Sequence, residues 1–560
     1  MSFAMNGRWT PGRWALPAVA AMLLVACGTG GAMEEESYIA ALQELTAGAG
    51  EDSVFTLASG DTVRLSAPTL EFYALRQHRP AWWGRRGLDD RGAALLAALG
   101  DTESDGLPSA RYRHDVVTSL LSTLDPEDRG DRLPDSVAVR YRAAVDVLLT
   151  EGMVRYAGDL VTGTLDPADA GVDWRIERES ARHAAVLENL DAGRDPQDIL
   201  AQLRPSLPYY DRMRTALAQY RAAAERGGWP QLPENETLKE GDRSDAVAAL
   251  RQRLLLGTDA REAELARAGE ADPSLFDAQL KEAVQHFQHR HSIEADGAVG
   301  GGTLKELNHP VEDRIAEMKL NLDRWRWLPN ELGERFVMVN IAGFELEVVE
   351  DGRAIESMNV VVGRLDRQTP VFADSIQFVV VNPYWNVPNG IFEKDVQPKM
   401  QADPMYLVRN NMEMVDGRVR QKPGPTNSLG RFKFLFPNEF DVYLHDSPER
   451  HLFSRTSRDF SSGCIRIERP EDFARLLLDM QTDAGSGQLD SHLTHWNEQW
   501  MRLDRPLPVY LLYFTAWVEE DGTVRFHHDV YNRDEMLAPQ VEDRLEPAPA
   551  QRVAGTATGV

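Results

Sequence analysis

Residues Gln421 to Ala474 read QKPGPTNSLGRFKFLFPNEFDVYLHDSPERHLFSRTSRDFSSGCIRIERPEDFA. In Phe440-Asp441-Val442-Tyr443-Leu444-His445, the two-residue period of a strand puts Phe440, Val442 and Leu444 on one face and Asp441, Tyr443 and His445 on the other. His445 is thereby pointed away from the apolar side. Nineteen residues later, Ser461-Ser462-Gly463-Cys464-Ile465-Arg466-Ile467 reads as a Ser/Gly turn running into a short strand. Alternation places Cys464 and Arg466 on one face, with Ile465 and Ile467 in the core. Pro470, Glu471 and Asp472 open a helix that buries Phe473, Leu476, Leu477 and Met480. A thiol is a weak nucleophile until ionised, and a neighbouring imidazole or guanidinium favours the ionised form. Two outward-facing groups on adjoining strands would meet that need, and a chance exposed pair without catalysis stays equally open.

Outward from this stretch the pattern is mostly β. Phe344, Leu346 and Val348 alternate with Glu345 and Glu347, Asp351-Gly352 marks a turn, and strands are predicted at Met358–Val362, Ile376–Val381, Arg431–Phe436, Phe440–His445 and Val509–Trp517. Residues 388–427 form a Pro-, Asn- and Met-rich insertion long enough to serve as a lid. Upstream, Val247, Leu250 and Leu254, then Leu280, Val284 and Phe287, follow helical spacing, and a third helix carries Leu304 and Leu307. His286, His289 and His291 lie close together there, and their offsets read as solvated surface histidines rather than a metal set. Residues 61–230 are helical, broken by Asp105-Gly106-Leu107-Pro108 and Pro205-Ser206-Leu207-Pro208. The aromatic segments around Phe72-Tyr73 and Trp82-Trp83 read as core.

The 560 residues suggest three or four domains, and their formal charge of -27 argues against a general nucleic-acid binder. With Cys27 and Cys464 as the two cysteines, a disulfide framework and a thiolate zinc cluster are excluded by counting. Arg8 and Arg13, an apolar run from Trp14 to Ala26, and then Leu24-Val25-Ala26-Cys27-Gly28 have the layout of a secretory signal, too short to span a bilayer. No Gly-Lys dipeptide, GxGxxG or HExxH is present, so no nucleotide or metal cofactor is expected. Nothing in the sequence speaks to oligomeric state.

Three resemblances attach to these residues. Leu-Val-Ala-Cys resembles a bacterial lipobox, which implies removal of residues 1–26 from a signal segment read over 1–27, acylation of Cys27 and a periplasmic, lipid-anchored protein, by Gly28 at the outer membrane. LKEGDRSDAVAALRQRL, FDAQLKEAVQHFQHRHSI and EADGAVGGGTLKELN resemble a three-helix peptidoglycan-binding domain, here 236–309. Gln421–Ala474, with Pro383-Tyr384-Trp385-Asn386-Val387-Pro388 and the YLLYFTAWVEEDGTVRFHHDVYNRD stretch, resembles the catalytic core of L,D-transpeptidases of the YkuD fold, in the large periplasmic branch. This implies a multidomain α+β chain: a tether over 28–60, a helical scaffold over 61–230, the peptidoglycan-binding domain, a mostly-β catalytic domain over 310–538 with its capping lid, and a disordered tail over 539–560. By position, the resemblance makes Cys464 the nucleophile and His445 the base, oriented by the carbonyl of Asp446, with Arg466 beside the cysteine and Gly463 in the oxyanion turn. Ser462 stands where many relatives carry a second histidine. The implied activity is 3→3 cross-linking of peptidoglycan stem peptides through a thioester, with carbapenems as covalent inhibitors. An L,D-carboxypeptidase or a non-catalytic wall-tethering lipoprotein are the alternatives.

Overall fold

Runs of Val, Phe and Leu alternating with polar residues drive the C-terminal half into strands, and their pairing closes on itself. In the computed structural model, Phe432–Leu435 pairs with Leu444–His445, and this strand with Ile465–Ile467. The order continues through Arg353–Gly363, Glu345–Glu350, Arg335–Asn340, Gln499–Leu512 and Val371–Val381, which pairs back onto Phe432–Leu435. A closed ring leaves no edge open to pair with another chain. Val360, Phe434, Leu444, Ile465 and Ile467 are fully buried on its inner face. The structure describes residues 29–545, apart from 47–53, 57–61, 85–86, 126–132, 235–236, 270 and 482–485. Cys27 and its apolar run lie outside the described residues. No helix among the described residues is long and apolar enough to cross a membrane.

The chain divides into two units: residues 1–96, 113–154 and 550–560, and residues 97–112 with 155–549. The helical region expected over 61–230 contributes to both units. Asp105 gives the reason. Its buried carboxylate is held by Arg204 at 2.9 Å, Arg214 at 2.7 Å and the hydroxyls of Tyr156 and Tyr210 at 2.6 and 3.0 Å, all within the second unit. The helices Pro208–Glu225 and Val311–Arg326 then cover the barrel, with Trp325 stacked on Tyr209 and on Phe514. In the first unit, Asp146 plays a similar part, accepting from Tyr73 at 2.6 Å and from the backbone of Ala81 and Trp82; Phe72, Tyr73 and Trp82 are core as expected, while Trp83 is half-buried.

Two further expectations change. Residues 28–60 contain the helix Thr29–Thr46, whose Leu42 is fully buried and whose Tyr38 bonds to Asp146, so this part is not a tether. The helix Arg533–Leu545 runs into the expected tail: Val541 is buried and Gln540 donates to the Ala170 carbonyl, while residues 546–560 lie outside the described part.

The predicted helical module is present as Asp245–Leu255, Ala278–Arg290 and Gly301–Leu307 around buried Val247, Leu250, Leu254, Leu280, Val284 and Phe287. The segment after Gly257 adds a helix, Ala260–Ala268, capped by Asp259 and packed through Leu265 and Ala266. His291 is buried rather than solvated: it stacks on Phe287 and bonds to that residue's carbonyl. His286 does approach Glu262 and Asp259. Glu262 already holds the buried Arg290, and Asp259 is spent capping its helix.

Candidate active site

The site is built where the barrel's outer face meets the insertion. Lys433, His445 and Arg466 are register partners on three neighbouring strands, so their side chains leave the same face in one row. Cys464 lies one residue before the Ile465–Ile467 strand, beside Tyr443, because the Ile465 amide bonds to the Tyr443 carbonyl. Cysteine and histidine are thus diagonal neighbours across one parallel strand pair. The predicted strand over Phe440–His445 is shorter than expected, with pairing only at Leu444–His445. Asn438 explains this: its side chain donates to the Phe436 and Val442 carbonyls and accepts from the Phe440 and Val442 amides, winding the chain into a turn with Asp441 at φ 54°.

Nδ1 of His445 donates to the Asp446 carbonyl. A carbonyl only accepts, so Nδ1 carries the proton and Nε2 the lone pair in the neutral ring. That carbonyl is itself fixed, because the buried Asp446 carboxylate accepts from the Arg431 and Ser447 amides and from Arg450. Gly430 makes room for it: a Cβ there would stand 2.2 Å from Asp446 Cγ. Burial first, then the Arg466 guanidinium, pull the His445 imidazole down to about 3. Burial pushes the Cys464 thiol up, opposed by hydrogen bonds from Tyr443 and by the charge of Lys433. The pair therefore rests as neutral thiol and neutral imidazole. The half-buried sulfur lies 3.7 Å from the Asp441 carbonyl, and the Tyr443 side chain interacts with both it and Trp385.

Gly463 adopts φ 111°, a left-handed conformation that favours glycine. Its carbonyl accepts from Thr369 at 2.8 Å and its amide donates to Ser461 Oγ at 3.1 Å. The expected pair of oxyanion donors is thus reduced: the Gly463 amide is engaged, while the Cys464 amide has no acceptor among the described residues. Arg466 is ion-paired to Glu449.

Cys464, His445 and Arg466 line a cavity of about 460 Å³, whose opposite wall is Trp385, Pro388, Ile391 and Lys394 of the insertion. The insertion folds on its own small core of Val387, Val396, Met412 and Val419, and starts slightly earlier than residue 388, since Trp385–Asn386 pairs with Arg418–Gln421. Arg367 ties it to the catalytic turn, donating to Asp395 at 2.8 Å and to Ser462 Oγ at 2.9 Å.

Comparison with known families matches residues 334–531 to the YkuD L,D-transpeptidase catalytic domain, residues 67–217 to a scaffold domain and residues 243–307 to a "Putative peptidoglycan binding domain". Over residues 334–531 the chain is similar to YkuD L,D-transpeptidase catalytic domains. A Haemophilus influenzae protein named "Putative L,D-transpeptidase" is 33% identical over 260 residues, covering 42% of this chain and 50% of that one, so the chain spans about half that relative's length. The N-acetylmuramoyl-L-alanine amidase CwlM of Mycobacterium tuberculosis is 39% identical over 80 residues, 14% of this chain and 20% of the amidase. An L,D-transpeptidase structure from Xylanimonas cellulosilytica aligns at 18% identity and TM-score 0.17, over 50% of this chain and 98% of that one.

Sequence reading of this domain missed Lys433 and Arg367, and it placed Tyr443 on the face of His445 without giving it a role. The alternation in Arg431-Phe432-Lys433-Phe434 carried the signal for Lys433, since it sets the lysine on the face opposite two buried phenylalanines. Arg367 had no such signal, because its partners are 28 and 95 residues away.

Proposed function

We propose that the protein is a cysteine-dependent L,D-transpeptidase that forms 3→3 cross-links between peptidoglycan stem peptides. The observation that carries this reading is the shared cavity: a thiol and an imidazole of fixed tautomer, on adjacent strands, beneath a folded insertion. Nε2 of His445 takes the Cys464 proton as sulfur attacks the carbonyl of the third residue of a tetrapeptide stem. The Cys464 amide and Arg466 stabilise the oxyanion. The tetrahedral intermediate collapses, the C–N bond breaks, and the imidazolium returns the proton to the departing D-Ala amine. A side-chain amine of a second stem then attacks the thioester; Nε2 of His445 takes a proton from that amine and passes it to the departing sulfur, restoring the neutral thiol, so that one amide replaces another without an external energy source. The insertion keeps water from the thioester. The helical module holds the enzyme on its polymer, and acylation of Cys27 would place it at a periplasmic membrane surface.

The test is incubation with disaccharide-tetrapeptide, read by intact mass and by product chromatography. Cross-linked dimers, a transient thioester on Cys464 and their loss in Cys464→Ala support the reading. Tripeptide products alone would make the enzyme an L,D-carboxypeptidase. An inert wild type, which also forms no covalent adduct with a carbapenem, would leave a non-catalytic wall-binding protein.

A further inference from the structure

A second cavity, of about 290 Å³, lies where the helical module meets the YkuD barrel. From the module it is lined by His289 and Ser292, and from the barrel by Phe344, Arg455, Arg458 and Arg525. No carboxylate lines it, although acidic residues outnumber basic ones by 88 to 61 in the whole chain. Arg525 is neutralised by Glu345 at 2.8 Å and Glu519 at 3.0 Å. Arg458 is not. It donates to the carbonyls of Arg455 and Phe344 at 2.7 and 3.1 Å, and its buried Nε has no acceptor. Among the described residues neither Arg458 nor the exposed Arg455 forms an ion pair. Glu345 and Glu468 act on Arg458 only at a distance; a half-buried guanidinium with no carboxylate in contact is costly, and an entering oxyanion reduces that cost through charge-assisted hydrogen bonds. Burial pulls Arg458 down to about 10, opposed by the charge of Glu345 and aided by Arg525, so it remains cationic at neutral pH. Burial and Arg525 also push His289 down, so the positive field comes from the arginines.

We infer that this cavity is an anion subsite for the carboxylate terminus of a stem peptide, distinct from the cavity that holds Cys464. Its volume leaves room for the end of a peptide. Position favours a stem peptide over a free inorganic anion. One wall belongs to the module resembling peptidoglycan-binding domains. The other is the loop that continues from Arg458 through the strand Asp459–Ser461 to Cys464, pinned to the barrel by the Val362 amide on the Arg458 carbonyl. The stem-peptide assignment rests on the proposed function.

The experiment uses the full chain with Cys464→Ala and follows the His289 ring resonances during titration with three probes: a tetrapeptide stem with a free C-terminal carboxylate, the same peptide amidated, and inorganic phosphate. The acid peptide should shift His289, binding at least about tenfold more tightly than the amide, as expected for loss of a guanidinium–carboxylate contact. Arg455→Gln and Arg458→Gln should each weaken it by a similar factor. Arg455 is exposed, so its variant tests the site even where the change at Arg458 perturbs folding. Equal affinity of acid and amide, or no effect of Arg455→Gln, overturns the subsite. A response to phosphate with none to the peptide overturns the stem-peptide assignment. Wild-type enzyme that binds the acid peptide at His289 yet forms no thioester on Cys464 leaves the subsite standing and removes the proposed activity.

Discussion

Lowering the pH separates the two states in which a Cys–His pair can rest. Burial, aided by Arg466, pulls His445 from the ordinary 6.5 down to about 3. At pH 4.5 an ordinary histidine is about 99% protonated, whereas His445 should be only about 3% protonated. The difference corresponds to about 5 kcal/mol. A depressed pKa in the folded state means that this contribution to stability is complete above pH 6.5 and is lost as the pH falls towards 3. The assay is a titration of 13Cε1-labelled histidine from pH 8 to 4.5, with the His445 signal assigned by its disappearance in His445→Gln. The signal should stay at the neutral-ring position throughout. Arg466→Met should raise the midpoint while leaving it below 6.5, because burial is the larger cause. A wild-type midpoint above 6.5 would mean a resting thiolate–imidazolium pair and refute the reasoning. Complete restoration to 6.5 in Arg466→Met would refute the ranking of its causes.

Arg367→Ala removes the link from the insertion to Ser462. A partly exposed contact of this kind is worth about 1 kcal/mol, so the open state of the insertion should become roughly fivefold more populated. Chromatography of tetrapeptide reactions should then show a larger share of hydrolysed tripeptide, and an unchanged ratio of hydrolysis to cross-linking would count against the latch. Lys433→Met removes a cation that favours the Cys464 thiolate and that sits 3.9 Å from the Tyr443 ring centroid. Iodoacetamide alkylation of Cys464 should slow at pH 7 and reach half-maximum at higher pH, while a profile identical to wild type would exclude an electrostatic role for Lys433.

Much of this site was legible because strand alternation is local. Ile465, Arg466 and Ile467 fell where a period of two puts them, and so did His445 relative to Leu444. What was not legible depends on partners far along the chain. The helical region contributes to both units, and helical spacing gave no sign of it, because Asp105 collects Tyr156, Arg204, Tyr210 and Arg214 from about 50 to 110 residues later. The shortened strand before His445 follows from four hydrogen bonds of the Asn438 side chain, which a pattern of apolar residues does not encode. The occupied Gly463 amide is of the same kind, since it depends on the rotamer of Ser461.

The chain's negative charge and the cationic surroundings of its cysteine are compatible because screening confines the relevant field to within about 8 Å. Inside that distance Lys433 favours the ionised sulfur and also disfavours the protonated imidazole. For a resting thiolate–imidazolium pair these two effects oppose each other, so the cation does little to form the pair. They cease to oppose once a proton has passed to the leaving amine. In the acyl-enzyme His445 is neutral, and it is charged again only while it carries a proton from the attacking amine to the departing sulfur; the charge that Lys433 and Arg466 favour in that step is negative, on the oxyanion and on the leaving sulfur. A site that buries its base beside cations is therefore matched to the later steps of acyl transfer. That argument assigns Lys433 and Arg466 to the charge that develops during the reaction rather than to the free enzyme's nucleophile.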